Sequence, residues 1–285
     1  MGKTVALGLV QMKMGREPSR NLANALKLIS NAASKGADIV CLPELFLTPY
    51  FPFTRAGPKK LPPSYFESIP GNASLALSNS AKENAIALVA GSVYENAGKG
   101  LFNTSMVFNE EGKLRGIYRK MHVPHDEYFF ERDYFAPGNL GFKVFNTSKA
   151  PISPLICYDQ WFPEAARICA LKGAQIIFYP TAIGTVKGIS QSEGNWQNAW
   201  ENAMRGHAIA NNLVVAGVNR CGSEGKTDFW GGSFVCDAFG KTIGRLGKKE
   251  GILISEIDLE HGTNIRKGWK FFNNRRPNEY GLITK

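Results

Sequence analysis

From Thr4 to Ile257, strand-like and helix-like segments alternate, with no linker or low-complexity stretch between them. This alternation constrains the fold most, because an apolar strand buried on both faces needs helices or a second sheet on each side. Thr4–Gln11 reads as the first strand. Ser19 is placed to cap a helix carrying Leu22, Leu26 and Ile29 on one face, and Gly36 stops it. Ala37–Leu42 is then a buried strand and Leu75–Asn84 a helix. Ala85–Tyr94, Thr104–Asn109 and Leu114–Arg119 are strands, the last two joined by the turn NEEGK.

The second half repeats the pattern. An apolar strand, Pro154–Ile156, ends abruptly at Cys157, a short turn runs through Tyr158 and Phe162, and Pro163 opens a helix ending at Leu171. Gln175–Pro180 is a strand and Asn195–Asn211 a longer helix. Leu213–Asn219, Asp228–Asp237, Thr242–Leu246 and Ile252–Ile257 complete the strands, with DAFGK as a hairpin turn. TPYFPFTRAGPKKLPP and IGTVKGISQSEGN read as loops. Crossovers mixed with hairpins imply a layered α/β architecture, built as one domain over residues 1–285.

Composition narrows the function. The chain of 285 residues is 44% hydrophobic and 20% charged, values of a soluble globular protein. No apolar run approaches the roughly 18 residues that span a bilayer, and MGKTVALGLVQM lacks the three regions of a signal peptide, so the expected location is the cytoplasm. Five widely spaced cysteines, with no CxxC pair, indicate neither a disulfide framework nor a cysteine zinc site. The net charge of +10 is spread along the chain without a nucleic-acid module, so it reads as a solvated basic surface. His122 and His125 form an H-x-x-H, but Pro124 interrupts any helix there and no further His or Cys is close by; no metal or cofactor is expected.

In layered α/β folds, sites gather beyond the carboxyl ends of strands. Three ionisable residues stand there: Glu44 after Val40 and Leu42, Lys120 at the end of the strand beginning near Leu114, and Cys157. Together they suit acyl transfer. A thiol nucleophile needs a base, which a desolvated carboxylate supplies. The tetrahedral intermediate needs positive charge, which an ammonium and the N–H of Tyr158 can offer. Trp161 and Phe162, just after the nucleophile, are candidate walls of the acyl pocket, with core packing as an equal reading. Tyr50, Phe51 and Phe53 read equally as a pocket lid or an intersubunit patch. His207 is the alternative partner for Cys157, on a helix crowded with Trp196, Trp200 and Met204.

The segments PELF, YRKMHVP and ICYDQWFPEAAR resemble, in order, the three signature regions of the nitrilase (carbon–nitrogen hydrolase) superfamily. The resemblance runs from VALGLVQM to the tail FFNNRRPNEY. It implies a four-layer αββα sandwich, a Glu44–Lys120–Cys157 triad, and a second glutamate, Glu131 in FFERDYFAPG, holding Lys120 or the substrate. It also implies at least a homodimer, with the tail of residues 260–285 near the interface. DQWFPEAAR, FYPTAIG and RRPNEY most resemble the N-carbamoylputrescine amidase branch, whose members release putrescine, carbon dioxide and ammonia. HDEYFFER and GTVKGISQSEGN depart from that branch, and Asp126, Glu127 and Glu193 are the candidates to pair with a distal ammonium. An amidase for N-carbamoyl-β-alanine or ω-amides is the alternative, and a catalytically idle scaffold of the same fold is the reading from another class.

Overall fold

The computed structural model describes residues 4–189 and 193–284; the middle of the loop GTVKGISQSEGN and the last residue of the tail lie outside them. Two large mixed sheets face each other. In the first, the spatial order is Gly251–Asp258, Thr4–Gln11, Ile39–Cys41, Ala87–Val89, Leu101–Phe108, Val93–Asn96 and Phe66–Glu67, with Leu114–Arg119 also pairing Leu101–Phe108. The second runs Thr242–Arg245, Phe234–Cys236, Val214–Asn219, Ile176–Thr181, Pro151–Pro154 and Phe145–Asn146. Each has a parallel centre of three strands, so loops carrying chemistry leave both sheets from carboxyl ends.

Side-chain alternation makes the layers. Leu7, Leu9, Ile39 and Cys41 pack in one core with Ile152, Ile176 and Val215 of the second sheet. Val10, Val40 and Leu42, one residue out of phase, pack instead against Ala25 and Ile29 of the helix Pro18–Ser34 and Leu77 of the helix Asn72–Glu83. The helices Pro163–Leu171 and Trp196–Asn211 cover the second sheet through Ala166, Cys169, Trp200 and Met204. The result is the four-layer αββα sandwich. Each fully buried aliphatic side chain contributes roughly 1.5–3 kcal/mol, so the strand ends are held by the whole interior.

Several boundaries differ from the sequence reading. Ser19 is not the cap: Glu17 occupies that position without a side-chain bond and Pro18 starts the helix, since its fixed φ and missing N–H suit the first turn. The expected strand Ala85–Tyr94 is broken between Val89 and Val93. Gly91 there has φ +46, and a Cβ on it would stand 2.0 Å from the carbonyl oxygen of Pro43. Asp228–Asp237 is likewise two strands, parted at Gly231 and Gly232, where a Cβ on Gly231 would stand 2.4 Å from Gln11 Nε2. The freed strand Thr227–Trp230 joins Gly184–Val186 and Cys221–Glu224 in a small third sheet. The helix Leu259–Trp269, absent from the sequence reading, follows the last strand and is capped by Asp258.

The break at Gly91 serves the site. It brings Ser92 under the turn after Ile39–Cys41, where its Oγ accepts from the N–H of Leu45 at 2.9 Å and its carbonyl from Phe46 at 3.2 Å. Gly91→Ala combines a left-handed backbone with a clash against Pro43. It is expected to cost at least about 2 kcal/mol in urea unfolding and to depress activity by shifting Glu44. An unchanged midpoint would contradict this account of the turn.

Candidate active site

Glu44, Lys120 and Cys157 come from three different strand ends and are brought close enough for Glu44 and Lys120 to act on the thiol, and Cys157 lines a cavity. Lys120 is drawn in by the hairpin register: Thr104 opposes Arg119, and the Lys120 N–H donates to the Asn103 carbonyl at 2.9 Å. Its ammonium lies 2.8 Å from Glu44 Oε1 and 2.6 Å from Glu131 Oε2, and all three side chains are removed from solvent. Asn103 Nδ2 donates to the same Glu44 oxygen at 2.8 Å, and the Tyr50 hydroxyl donates to Glu131 Oε1 at 2.8 Å. Glu44 Oε2 has no hydrogen-bond partner among the described residues. One carboxylate oxygen is therefore left uncommitted.

The turn bearing Glu44 is pinned from beneath. Leu45 adopts φ +47, and buried Arg220 donates through Nη2 to the carbonyls of Glu44 at 2.7 Å and Leu45 at 3.0 Å. Arg220 Nη1 pairs with Glu224 at 2.8 Å, whose other oxygen accepts from the Tyr50 N–H at 2.6 Å. A fully buried guanidinium spent on backbone carbonyls is a strong anchor, because each bond to a charged donor is worth roughly 1.5–3 kcal/mol.

Cys157 opens a 3₁₀ turn, Cys157–Trp161, with φ +41, a strained value for a residue with a Cβ. Asp159 holds that turn. Its Oδ2 accepts from the Ile156 N–H at 2.9 Å and the Tyr118 hydroxyl at 2.7 Å. Its Oδ1 accepts from the N–H of His122 at 3.0 Å and from His122 Nδ1 at 2.7 Å. His122 is thus committed to Asp159, while His125 leans toward Asp133 at 3.8 Å; the H-x-x-H pair does not converge. His207 does not reach Cys157. Its Nε2 donates to the Gln160 carbonyl at 2.8 Å, and burial lowers its pKa, so it braces the turn as a neutral imidazole.

Burial pushes the Cys157 thiol well above its ordinary pKa, and Glu44 and Glu131 push it further, while Lys120 pulls it back. The resting thiol is therefore neutral and needs an adjacent base. Lys120 is held in its charged form: burial opposes the charge, and Glu131 and Glu44 outweigh burial. Glu131 is raised to about 7, mainly by burial and by Glu44, against the pull of Lys120.

The cavity above the thiol has a volume of about 450 Å³. Buried Cys157, Gln160 and Ala182 and half-buried Tyr158 line it, together with exposed Trp161, Asp126, Glu127 and Glu193 nearer solvent. Burial, and then the nearby Asp126 carboxylate, raise the Tyr158 hydroxyl above its ordinary pKa. Among the described residues, no Lys or Arg lines it. Phe162 lies outside this lining, a correction to its reading as a pocket wall: its ring stacks on His122 with centroids 3.7 Å apart. Tyr50 lines the cavity, whereas Phe51 sits among Tyr65, Tyr94, Tyr134 and Phe135, so the aromatic run is mainly a packed cluster.

The family model "Carbon-nitrogen hydrolase" matches residues 6–267. The chain belongs to the carbon–nitrogen hydrolase family. It is 35% identical to an N-carbamoylputrescine amidase from Solanum lycopersicum, over 99% of this chain and 95% of that one. It is 34% identical to a citrullinase from Francisella tularensis, over 99% and 98%. A carbon-nitrogen hydrolase from Helicobacter pylori G27 has a closely similar structure, with a TM-score of 0.92, 36% identity and 99% coverage of both chains.

Sequence reasoning on this carbon–nitrogen hydrolase overlooked Asn103, Arg220 and Asp159. Arg220 follows the buried strand Val214–Asn219, so the strand-end criterion applied to cations would have found it. Asn103 becomes visible only once the hairpin register is known, and Asp159 only once the turn is built.

The raised Glu131 gives a pH test. A carboxyl whose folded pKa exceeds its ordinary 4.5 binds its proton more tightly when folded, so its contribution to stability is complete below that value and is lost as pH rises through about 7. Between about pH 5 and about pH 8, the wild type should lose more urea stability than Glu131→Gln. An equal or opposite slope would contradict the assignment.

Proposed function

We propose that this amidase hydrolyses a ureido substrate through an acyl-enzyme on Cys157, and that the substrate is N-carbamoylputrescine. The observation carrying the chemistry is the buried Glu44–Lys120–Glu131 group beside a neutral thiol that lines the cavity. Cys157 Sγ attacks the ureido carbon while its proton passes to the uncommitted Glu44 Oε2. The oxygen that becomes negative is met by the third N–H of the Lys120 ammonium and the N–H of Tyr158. Glu44 returns the proton to the departing nitrogen and the first C–N bond breaks, leaving a carbamoyl group on Sγ; Glu44 then deprotonates the water that releases this group as a carbamic acid, which loses carbon dioxide and frees the second nitrogen. Water and substrate together account for putrescine, carbon dioxide and ammonia.

The substrate reading rests on the rim. Asp126, Glu127 and Glu193 suit a cationic tail and oppose an anionic one, on a chain whose overall charge is +10. Each exposed pair is worth at most about 1 kcal/mol, so selectivity comes from the three acting together. The N-carbamoylputrescine amidase names among the relatives agree with this reading. Five free cysteines fit a cytoplasmic enzyme. Trp269, Leu282 and Ile283 expose apolar surface in the tail and fit a homodimer interface, for which light scattering should show at least a dimer and not a monomer alone.

Cys157→Ala should lower kcat by more than about 10⁴-fold and Glu44→Gln by about 10³-fold, with folding retained. Ammonia release should be fastest with N-carbamoylputrescine and slow with N-carbamoyl-β-alanine, citrulline and ω-amides. Activity confined to the substrates bearing a carboxylate would overturn the substrate reading.

A further inference from the structure

Gln160 is fully buried, and its carboxamide has a fixed orientation. Trp200 Nε1, which can only donate, lies 2.8 Å from Gln160 Oε1. The Thr181 hydroxyl approaches the same oxygen at 3.5 Å. Oε1 is therefore the acceptor and Nε2 the donor. Yet Nε2 has no acceptor among the described residues, although Gln160 lines the cavity that holds Cys157. A buried donor left unmade costs about 1–3 kcal/mol, and a protein retains one where a ligand completes it.

Cys157 and Gln160 belong to one short turn, Cys157–Trp161, and line the same cavity. A ureido or amide group attacked there offers one strong acceptor, its carbonyl oxygen. We propose that Gln160 Nε2 donates to the oxygen of the carbonyl being attacked, as a third donor beside Lys120 and the Tyr158 N–H, and that Trp200 is the positioning residue that aims it. Resting on the acyl-enzyme reading above, this makes Gln160 a catalytic residue that strengthens its bond as the oxygen gains charge.

The test compares Gln160→Met with Trp200→Phe. Gln160→Met removes the donor at similar volume; Trp200→Phe removes the indole bond but leaves the amide. On the best ureido or amide substrate of the panel, Gln160→Met is expected to lower kcat/KM by about 10²-fold, chiefly in kcat, and Trp200→Phe by about tenfold or less. Alkylation of Cys157 by iodoacetamide should proceed at the wild-type rate in Gln160→Met, which shows the thiol still in place. Gln160→Met activity within about threefold of wild type, or an equal loss in Trp200→Phe, would overturn the proposal and leave Gln160 as a packing anchor. Failure of the wild type to turn over any member of the panel would instead overturn the functional reading.

Discussion

Lys120 is shared between two carboxylates in a space closed to water, and the rest of the site follows from that arrangement. Removing three charges from water costs several kcal/mol for each ion, so the group persists only where geometry and further hydrogen bonds compensate. Asn103 supplies such a bond to the Glu44 oxygen that Lys120 also holds, Tyr50 supplies one to the Glu131 oxygen that Lys120 leaves free, and Arg220, Ser92 and the left-handed Leu45 hold the Glu44 backbone. Burial first, and then Glu44 and Glu131 against the pull of Lys120, keep the neighbouring Cys157 thiol protonated at rest, so a base must take its proton when the substrate carbon arrives.

The two-sheet sandwich explains why such a costly group can be held. Glu44 depends on a parallel strand of the first sheet, Cys157 on one of the second, and Lys120 on a hairpin at the edge of the first. Helix layers on both outer faces fix these strand ends, and Asp159 ties the Cys157 turn back to Tyr118 and His122 in the first half of the chain. A single carboxylate thus links the nucleophile to the same hairpin that delivers Lys120.

Much of this was legible in the sequence. Short apolar runs bounded by turns marked Thr4–Gln11, Leu114–Arg119 and the strand Gln175–Pro180, and the strand-end criterion picked out Glu44, Lys120 and Cys157. Other features were hidden for physical reasons. Gly91 and Gly231 break strands whose composition reads as continuous, because a close approach by Pro43 or Gln11 is a tertiary fact. Phe162 looked like a pocket wall because it follows the nucleophile closely, but the 3₁₀ turn carries it round onto His122. Asn103 and Gln160 gain meaning only from their partners across the hairpin and across the turn.

The central claim, that carbon–nitrogen cleavage proceeds through a covalent acyl group on Cys157, is tested most directly by mass spectrometry of the protein quenched in acid during turnover, followed by peptide mapping. The account predicts an acyl adduct on the peptide bearing Cys157, formed and lost at rates compatible with turnover. An adduct on a different residue that forms and decays with the catalytic cycle would contradict it.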